Sequence, residues 1–511
     1  MRNTLIIAMT LLLSNLCLGY SGGNGEPNNP YQIANVEDLL ELGNDEPNYN
    51  KSFILTADIN LAGLDFNNAI IARYPGNTFT GIFDGDCHTI RNMTIYNDIY
   101  SPDGIIIGLF GSVNTGEIKN LNLENVSITI KNSNADIGGL IGYNYIGTVN
   151  NCHSIGNISG ECGDDYIHIL IGGLIGTNEY STITNCSSEG TVCIFSQTYA
   201  ITTLPSAGGL VSSNKDSIIT DSYSNCNVIS DGNLIGIGGF VASNWGEVNS
   251  IISNCYSSGI VQVSNTNYYW NELHAGGFAG VNTYNIMKCF STTPVIINGL
   301  KAYRTGGFVG GNSGNISDCY STGDITISVS FNDIGYLGGF SGDNYGNINN
   351  CYSVGSVNNH SGTGYIGGLV GNVESGSVIN SSYFLETSGP DNGNGTPLSD
   401  SEMKHQASFV GWDFVGESIN GTEDTWCIFE DFTYPKLAWY WCEPNSPNDI
   451  CPGGGNGKSP NYDDKGIVNF IDFAIFAAAW LTENPLVSLD KDIDVDIYDL
   501  KIFCDFWLEE I

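Results

Sequence analysis

Short runs in which apolar and polar residues alternate fill most of the chain, and clusters of Gly, Asn and Asp separate them. Alternation at every second position predicts strands that bury one face. A unit of two glycines followed by apolar residues recurs every 29 to 38 residues. Repeats of this length predict a solenoid or a propeller. The unit begins at Gly138, Gly172, Gly208, Gly238, Gly276, Gly306, Gly338 and Gly367, and residues 108–111 form a degenerate first copy.

Two further markers keep their register with each pair of glycines. An Asn stands five residues after the second Gly, and a segment of Asn or Asp, Cys, aromatic residue and Ser then follows in most copies. Short β-branched runs such as residues 325–329 close the units. Three short strands separated by Gly and Asn turns predict one coil of a parallel β-helix. The recurring residues are Asn144, Asn178, Asn214, Asn244, Asn282, Asn312 and Asn344.

These residues have physical roles in such a coil. The glycines permit tight or left-handed turns at the corners, and the Asn side chains are expected to stack amide on amide along the axis. Stacked cysteines point in one direction, which keeps their Cβ atoms further apart than a disulfide prefers. We therefore predict inward-facing, buried thiols rather than disulfides or metal ligands. The column comprises Cys152, Cys186, Cys255, Cys289, Cys319 and Cys351, with Ser222 in one coil.

The composition narrows the fold class and the partners. Gly reaches 65 residues, charged residues are 14% and hydrophobic residues are 41%, which excludes disorder or a helical bundle for the bulk of the chain. The balance of 16 Lys and Arg against 54 Asp and Glu gives a net charge of -38. Nucleic acids and anionic membranes require clustered basic residues, so we exclude both as partners.

The first residues predict an export signal, with boundaries at 1–19. Arg2 precedes an apolar run that is too short to span a bilayer, and small residues near Gly19 would accept cleavage. A lipoprotein anchored at Cys17 is an alternative, although Asn15 and Leu16 fit that signal poorly. No later segment has the length and apolarity of a transmembrane helix, so we expect a secreted, extracellular or cell-surface protein.

Residues 106–385 resemble GLUG repeats, which are named for their Gly-Leu-apolar-Gly core and occur in secreted bacterial surface proteins and some IgA-protease-type proteins. The resemblance implies an all-β fold, a parallel β-helix of eight or nine copies, and no catalytic role for the repeats themselves. We expect residues 20–105 to form the N-terminal cap and first coils, with a short amphipathic helix near residues 36–42. Residues 386–441 are expected to form the C-terminal cap, in which Phe409, Trp412, Phe414 and Trp426 plug the open end.

Aromatic residues in the turns are candidates for ligand binding. Exposed aromatic rings stack on sugar rings, so a row of them would suit a polysaccharide. The alternative is ordinary packing within the turns. The candidates are Tyr145, Trp245 and Tyr345, which each follow a recurring Asn, and Tyr268, Tyr269 and Trp270, which lie in the insertion at residues 265–275.

Three classes of function compete. A non-catalytic binding or structural rod is favoured by the repeats. A polysaccharide lyase or glycoside hydrolase is the alternative, because parallel β-helices often act on acidic sugars and such chemistry needs clustered carboxylates. Its best grouping is Asp84, Asp86 and Arg91, although Asp-Gly-Asp is more typical of a solenoid turn. A peptidase is disfavoured because the six His are scattered and the usual hydrolase motifs are absent.

The end of the chain has a different pattern. Residues 442–460 form a linker rich in Pro and Gly, in which the pairing of Cys442 with Cys451 stays open. Residues 461–511 hold 12 acidic residues against 3 Lys, in two similar halves of a polar loop and an apolar helix. Oxygen groups at alternating positions of a 12-residue loop wrap Ca²⁺. The alternative is an acidic tail that solvates the chain.

The two halves resemble a dockerin, a small all-α module with paired calcium loops that docks onto cohesin domains. The resemblance implies a cohesin-like or other extracellular scaffold protein as partner, contacted by Phe470, Ile471, Ile497 and Tyr498. The first loop departs from the family at Lys465, which weakens its site, and the second loop has Ile493 where Gly is usual. The implied Ca²⁺ ligands are Asn461, Asp463, Ile467, Asn469 and Asp472 in the first loop and Asp490, Asp492, Asp494, Asp496 and Asp499 in the second.

Calcium binding should be coupled to folding of this tail. Five Asp within ten residues of the second loop repel one another until a cation offsets their charge. We predict that isolated residues 456–511 gain helical circular dichroism with calcium and lose it with a chelator. Asp499→Ala should abolish the gain, whereas Asp472→Ala should matter less because Lys465 already weakens its loop. Equal helicity in chelator would contradict the assignment.

Overall fold

The structure is a computed structural model that describes residues 19–162, 168–196, 205–232, 236–248, 250–266, 273–299, 304–329, 335–360, 364–417 and 419–441. The predicted export signal up to residue 18, the linker and the tail at 461–511 lie outside the described residues. Tyr268, Tyr269 and Trp270 also lie outside them. The calcium ligands and the partner contacts therefore stay predictions.

Two long parallel sheets, which we name sheet A and sheet B, run along the axis with nine strands each. Every strand pairs in parallel with its equivalent in the next coil, so the repeats stack in register. Sheet A contains Ile105–Ile107, Ala135–Gly138, Ile169–Gly172, Ser206–Gly208, Gly236–Gly238, His274–Gly276, Arg304–Gly306, Tyr336–Gly338 and Tyr365–Gly367. Sheet B contains Phe110–Asn114, Ile141–Tyr145, Ile175–Glu179, Val211–Lys215, Val241–Trp245, Ala279–Asn282, Val309–Asn312, Ser341–Asn344 and Val370–Val373.

A third sheet, sheet C, completes each coil and contains 28 strands. Its first seven strands are Tyr31–Ile33, Ser52–Leu55, Ile59–Asn60, Asp65–Phe66, Ile82–Asp84, Thr89–Arg91 and Thr94–Asn97. The strands of the middle coils are Glu117–Lys131, Thr148–Cys162, Thr182–Thr184, Ser187–Ser196, Ile218–Thr220, Tyr223–Gly232, Ile251–Ser253, Tyr256–Ser258 and Val261–Thr266. The last coils contribute Asn285–Met287, Phe290–Ser291, Val295–Gly299, Asn315–Ser317, Tyr320–Ser321, Ile325–Val329, Asn347–Asn349, Tyr352–Ser353, Val357–Asn359, Val378–Asn380, Tyr383–Leu385 and Thr396–Leu398.

The predicted architecture is confirmed as a mostly β, parallel solenoid of about nine coils. The coil has three sides, but its third side divides into two or three segments in the later coils. The division follows the residue before each Cys, which adopts a left-handed conformation with φ near 50°, as at Asn185 and Asp318. Asn and Asp tolerate this conformation better than most residues. Within the described residues, no helix is long and apolar enough to cross a membrane.

A short helix, α1 (Val36–Leu42), lies at the start of the described chain, where the amphipathic pattern predicts one. The side chain of Asn35 caps it by accepting a hydrogen bond of 2.9 Å from the backbone N–H of Asp38. Leu39 and Leu42 are fully buried in the solenoid core. A 3₁₀ turn at Glu46–Asn48 follows and leads into the first coils.

Columns of like side chains fill the interior. Phe240, Phe278, Phe308 and Phe340 stack with ring centroids 4.7–4.8 Å apart and nearly parallel planes. The predicted thiol column is confirmed, because its six Cys are free and at most 1% exposed. Each thiol lies 3.1–3.3 Å from the backbone carbonyl two residues earlier, to which it donates. Burial raises the pKa of Cys152, Cys255 and Cys319, which keeps these thiols protonated.

The predicted Asn column is also confirmed and forms a continuous hydrogen-bonded ladder. From Asn144 to Asn344, each Nδ2 donates to Oδ1 of the next Asn over 2.7–2.9 Å. All seven side chains are fully buried. At the two ends of the ladder the same strand position holds Val113 and Val373. The ladder therefore satisfies most of its own buried amides without water.

The paired glycines have a different role from the one expected. Neither Gly276 nor Gly277 has a left-handed φ. Instead, a Cβ on Gly277 would lie 2.1 Å from the carbonyl oxygen of Gly307 in the next coil. The hydroxyl of Ser257 also donates to the carbonyl of Gly277 over 2.9 Å. Close approach between coils, rather than turn conformation, excludes a side chain here.

Residues 399–441 form an irregular segment that we name the strap. It contains two 3₁₀ turns, one antiparallel strand pair and a last helical turn. Trp412, Trp426 and Leu437 are fully buried within it. The elements of the strap are Glu402–Lys404, Gln406–Ser408, Trp426–Cys427, Lys436–Leu437 and Ala438–Trp441.

The strap lies along the side of the rod, whereas the sequence led us to expect it over the open end. The outward aromatic residues that follow the Cys column stack in sheet C, and Tyr256, Phe290, Tyr320 and Tyr352 have centroids 4.9–5.0 Å apart. The strap packs its own aromatic residues on this column. Its contacts run from Trp412 on Tyr383 back to Tyr440 on Tyr256. The strap thereby covers the aromatic column on the side of the rod. Residues 386–398, the first part of the predicted cap, contact the last coils at the end of the rod.

The buried Asn ladder should be a main determinant of stability. Asn244→Ala removes the acceptor for one N–H of Asn214 and the donor to Asn282, which leaves Asn214 Nδ2 its 3.3 Å bond to Ser217 O and Asn282 Oδ1 its 3.3 Å bond from Tyr284 N. We predict a loss of about 1–3 kcal/mol in the free energy of unfolding, since one buried N–H of Asn214 loses its partner. Asn315→Ala is the matched control, because Asn315 belongs to an exposed ladder with Asn285 and Asn347. Its loss should stay below about 1 kcal/mol. Urea unfolding with hydrogen exchange measures both, and equal losses would contradict the role of burial.

Candidate ligand-binding groove

Sheets A and B meet at a corner where outward side chains of both sheets form two facing rows, most of them half-buried or buried. We name this corner the groove. Arg304 Nε lies 2.8 Å from Asp343 Oδ2 of the next coil, which joins the two walls. A Cβ on Gly311 would lie 2.6 Å from His274 Nδ1, so these walls also touch one coil earlier. Row A, the outward positions of sheet A, comprises Ile106, Asp136, Leu170, Ser206, Gly236, His274, Arg304, Tyr336 and Tyr365. Row B comprises Ser112, Tyr143, Thr177, Ser213, Ser243, Val281, Gly311, Asp343 and Asn372.

The small residue that ends each glycine-rich unit allows this corner to form. A Cβ on Gly310 would lie 2.7 Å from the backbone nitrogen of Ala275, and one on Gly342 would lie 2.5 Å from that of Thr305. Sheet B therefore approaches sheet A of the preceding coils at backbone distance. The repeat sequence thus produces the groove as well as the coil.

A pocket of about 400 Å³ opens at the N-terminal end of the groove. Tyr74, Asp103, Asp136, Tyr143 and His168 line it. Loss of hydration on burial raises the pKa of Asp136 to about 7, and burial lowers the pKa of His168. Near neutral pH, Asp136 is therefore about half protonated and His168 is mostly uncharged, which makes the pocket less acidic than the composition suggests.

Next along the groove, aromatic and charged residues of four successive coils pack together. Lys215 Nζ lies 2.7 Å from Glu179 Oε1, and the Tyr143 hydroxyl donates to Glu179 Oε2 over 2.6 Å. Although burial alone would raise it, these two bonds hold the pKa of Glu179 below its usual value. Lys215 Nζ also lies 5.1 Å from the centre of the Trp245 ring and 5.9 Å from that of Tyr180.

The far part of the groove repeats this combination of a carboxylate, a cation and an aromatic ring. Asp343 is fully buried, and Arg304 is tied to it and lies 5.9 Å from the centre of the Tyr345 ring. Asn372 Nδ2 donates to the other oxygen of Asp343 over 2.9 Å. His274 Nε2 lies 3.1 Å from Arg304 Nη1. The pair is held from several sides, so its geometry is fixed before any ligand arrives.

The structure places Tyr145, Trp245 and Tyr345 on one row beside row B, which we name the platform row. Strand pairing aligns Tyr145 with Glu179, Glu179 with Lys215, and Lys215 with Trp245. Tyr345 is placed on the same row because its backbone N–H donates to the carbonyl of Asn312. Trp245 is 40% exposed and Tyr345 is 48% exposed. Tyr145 is partly buried against Tyr143, with nearly parallel rings 6.3 Å apart. The predicted role of these residues in binding stays a prediction.

Sequence reasoning missed the charged residues of the groove. Glu179 and Lys215 follow an Asn of the ladder, as Tyr145 and Trp245 do, so the same register signal could have found them. The contact between Arg304 and Asp343 had no such signal, because the two residues lie on different sheets of adjacent coils and the pair does not recur in the repeat. The residue spacing therefore did not reveal that they meet.

Residues proposed for the catalytic alternative lie in separate hydrogen-bond groups. Arg91 forms an ion pair with Asp58, which also contacts His88 over 3.2 Å. Asp84 accepts from Asn120 Nδ2 over 3.0 Å and from the backbone of Asp86. In the part of the chain that the structure describes, no group of three or more His, Cys, Asp or Glu could hold a metal ion.

The comparisons with known proteins agree with the repeat pattern. Residues 168–192 and 301–326 match the family model of the GLUG motif. The chain is also similar to halomucin of Haloquadratum walsbyi, at 36% identity over 149 residues. The matched region is 27% of this chain and 2% of halomucin, so the chain spans a small fraction of that relative.

Among solved structures, an IgA1 protease is similar in part. The superposition has a TM-score of 0.38 and 19% sequence identity, and it covers 56% of this chain and 21% of the protease chain. A likeness at this level carries no argument about activity. The function has to be inferred from the groove itself.

The raised pKa of Asp136 should make stability depend on pH. The carboxyl titrates near 3.8 when unperturbed and near 7 in the folded chain, so the folded state binds more protons between these values. The contribution of Asp136 to the free energy of unfolding is therefore fully present below about pH 4 and is lost as the pH rises through 7. Asp136→Asn cannot ionise and should gain thermal stability relative to the parent between pH 4 and pH 8. Asp98→Asn, which removes one exposed charge, controls for net charge, and equal pH profiles for parent and Asp136→Asn would contradict the shift.

Proposed function

We propose that the chain is a secreted, non-catalytic β-solenoid that serves as a surface or structural rod and binds polysaccharide along the groove. The observation that carries this proposal is the platform row, where Tyr145, Trp245 and Tyr345 project beside a polar groove. Trp245 and Tyr345 keep much of their surface exposed, although Lys215 and Arg304 contact their rings. Exposed aromatic rings suit the apolar faces of sugars. GLUG-motif matches and the halomucin similarity favour a repeat protein with a structural or surface role.

An extended polymer fits the shape of the site better than a small molecule does. Sites for small ligands are deep, mostly apolar pockets, whereas this groove continues over several coils and carries polar groups along both walls. Sugars present an apolar ring face and a rim of hydroxyls. Aromatic platforms suit the ring face, and the partly exposed side chains of Glu179 and Asn372 suit the hydroxyls.

The groove carboxylates support binding more than catalysis. Glycoside hydrolysis needs one carboxylic acid and one free carboxylate flanking the bond. Glu179 is held by Lys215 and Tyr143, and Asp343 is held by Arg304 and Asn372, so neither is free to accept a proton readily. One observation favours the alternative of a lyase or glycoside hydrolase. The pocket combines Asp136, whose pKa is about 7, with Asp103, and an enzyme would use that pocket.

We further propose that the chain is exported and tethered through its tail. The predicted signal at residues 1–19 and the acidic composition support an extracellular location. Cys87 is disulfide-bonded, and such bonds persist outside the cytosol. The Ca²⁺-dependent dockerin-like module at 461–511 would bind a cohesin-like or other scaffold protein and leave the groove available for polysaccharide.

The binding proposal predicts a specific loss of retention. The full chain should be retarded in affinity gels that contain a suitable soluble polysaccharide, and the double variant Trp245→Ala, Tyr345→Ala should lose at least about tenfold in affinity. Aromatic stacking of about 0.5–1.5 kcal/mol per ring accounts for a loss of this size, since a tenfold change corresponds to about 1.4 kcal/mol. Phe432→Ala is the matched control, since Phe432 is 44% exposed on the strap, away from the groove.

The same samples separate binding from catalysis. Polysaccharide incubated with the chain should release no reducing ends and no unsaturated uronate. Release that disappears in Asp136→Asn would establish the enzymatic alternative instead. If the double variant and Phe432→Ala bind as tightly as the parent, the groove is not the binding site. Circular dichroism should show unchanged β structure in all variants, because every substituted side chain except Asp136 is an exposed aromatic.

A further inference from the structure

The three platforms of the groove are evenly spaced. Between Tyr145 and Trp245 the platform row holds Glu179 and Lys215, and between Trp245 and Tyr345 it holds Thr283 and Ser313. Each interval is therefore three coils. Adjacent parallel strands lie about 4.8 Å apart, so successive platforms are separated by about 14 Å along the axis.

Among the described residues, the Lys and the Arg beside these platforms are each paired with a carboxylate. Lys215 is bound to Glu179 over 2.7 Å and Arg304 to Asp343 over 2.8 Å. Each pair leaves no net charge, so neither cation offers an unpaired charge to an acidic sugar. The chain as a whole carries a net charge of -38, which repels polyanions at low ionic strength. The electrostatics of the groove thus disfavour acidic polysaccharides.

We propose that the groove binds a neutral, extended polysaccharide at three points, with one sugar ring on each of Tyr145, Trp245 and Tyr345. This inference rests on the proposed polysaccharide binding and specifies its ligand. A fully extended pyranose chain advances by roughly one coil spacing per sugar, so about every third ring reaches a platform. The intervening sugars pass over Glu179 and Lys215 and then over Thr283 and Ser313, which provide hydrogen-bonding groups for hydroxyls.

Multipoint binding has a measurable signature in ligand length. An oligosaccharide that spans two platforms binds the second one intramolecularly, which raises affinity without any new type of contact. Calorimetry with the full chain and neutral β-linked gluco-, manno- and xylo-oligosaccharides of increasing length should show two separate rises for at least one series. Each rise should be about tenfold or more. The first occurs when the ligand spans about 14 Å and the second when it spans about 29 Å.

Single variants assign each rise to a platform. Tyr345→Ala should keep the first rise and remove the second, because Tyr145 and Trp245 still act together. Trp245→Ala should remove the rise at the shorter length, since the remaining platforms are six coils apart. Phe432→Ala should change neither rise. A smooth dependence on length, or rises that survive both platform variants, would overturn the three-point arrangement while leaving polysaccharide binding intact.

An acidic series tests the charge argument separately. Oligogalacturonates of the same lengths should bind at least about tenfold more weakly than the neutral series at low salt, and added salt should narrow this difference. Acidic ligands that bind as tightly as neutral ones would overturn the inference of a neutral ligand. If neither series nor any longer polysaccharide binds, the proposed function itself fails, and the inference with it.

Discussion

In-register stacking of parallel coils is the constraint on which the whole structure depends. Because each residue lies beside its equivalent one strand spacing away, an inward position can only hold a side chain that packs well against a copy of itself. Amides meet this condition by donating to and accepting from their neighbours, as the ladder from Asn144 to Asn344 does. Phenyl rings meet it by stacking, as from Phe240 to Phe340. Thiols meet it by being small and by donating to their own backbone. Glycine meets it where two backbones nearly touch. The residues that recur in the repeat are therefore those that pack well against copies of themselves.

The same register orders the outside of the rod, where the residue types vary more from coil to coil. Outward residues of each coil also form rows, and the molecule uses two of them differently. The row from Tyr256 to Tyr383 carries an aromatic ring in every coil, and the strap covers it with Trp412, Trp426 and Tyr440. The groove rows instead mix aromatic, charged and small residues. Ion pairs such as Arg304 with Asp343 join coils there, and Gly142, Gly310 and similar residues let the two sheets approach each other.

Much of the inner architecture could be predicted from the sequence because the residues that form it repeat. The Asn ladder, the inward Cys column and the parallel solenoid all follow from residues that recur at a fixed offset from Gly pairs. The helix at Val36–Leu42 could be predicted from its amphipathic pattern, and Asn35 caps it in the structure. The position of the strap could not be predicted, since its aromatic residues share no period with the coils on which they pack. The role of the Gly pairs was misjudged for a related reason. Glycine at a turn usually signals a left-handed φ, and only coordinates show that Gly277 faces the carbonyl of Gly307 instead.

The contrast between the two aromatic rows bears on function. Aromatic residues that pack on one another along a solenoid recur in every coil, since each ring contacts the ring one coil away. The sheet C column does this, with centroids 4.9–5.0 Å apart and a covering segment. Tyr145, Trp245 and Tyr345 stand three coils apart and cannot touch one another, and Trp245 and Tyr345 keep 40% and 48% of their surface exposed. Tyr143, Lys215 and Arg304 contact these rings on one side, but those contacts do not explain the interval of three coils. A ligand that lies along the groove and meets each ring in turn accounts for both the exposure and the interval, since it supplies the apolar contact that the neighbouring coils leave out.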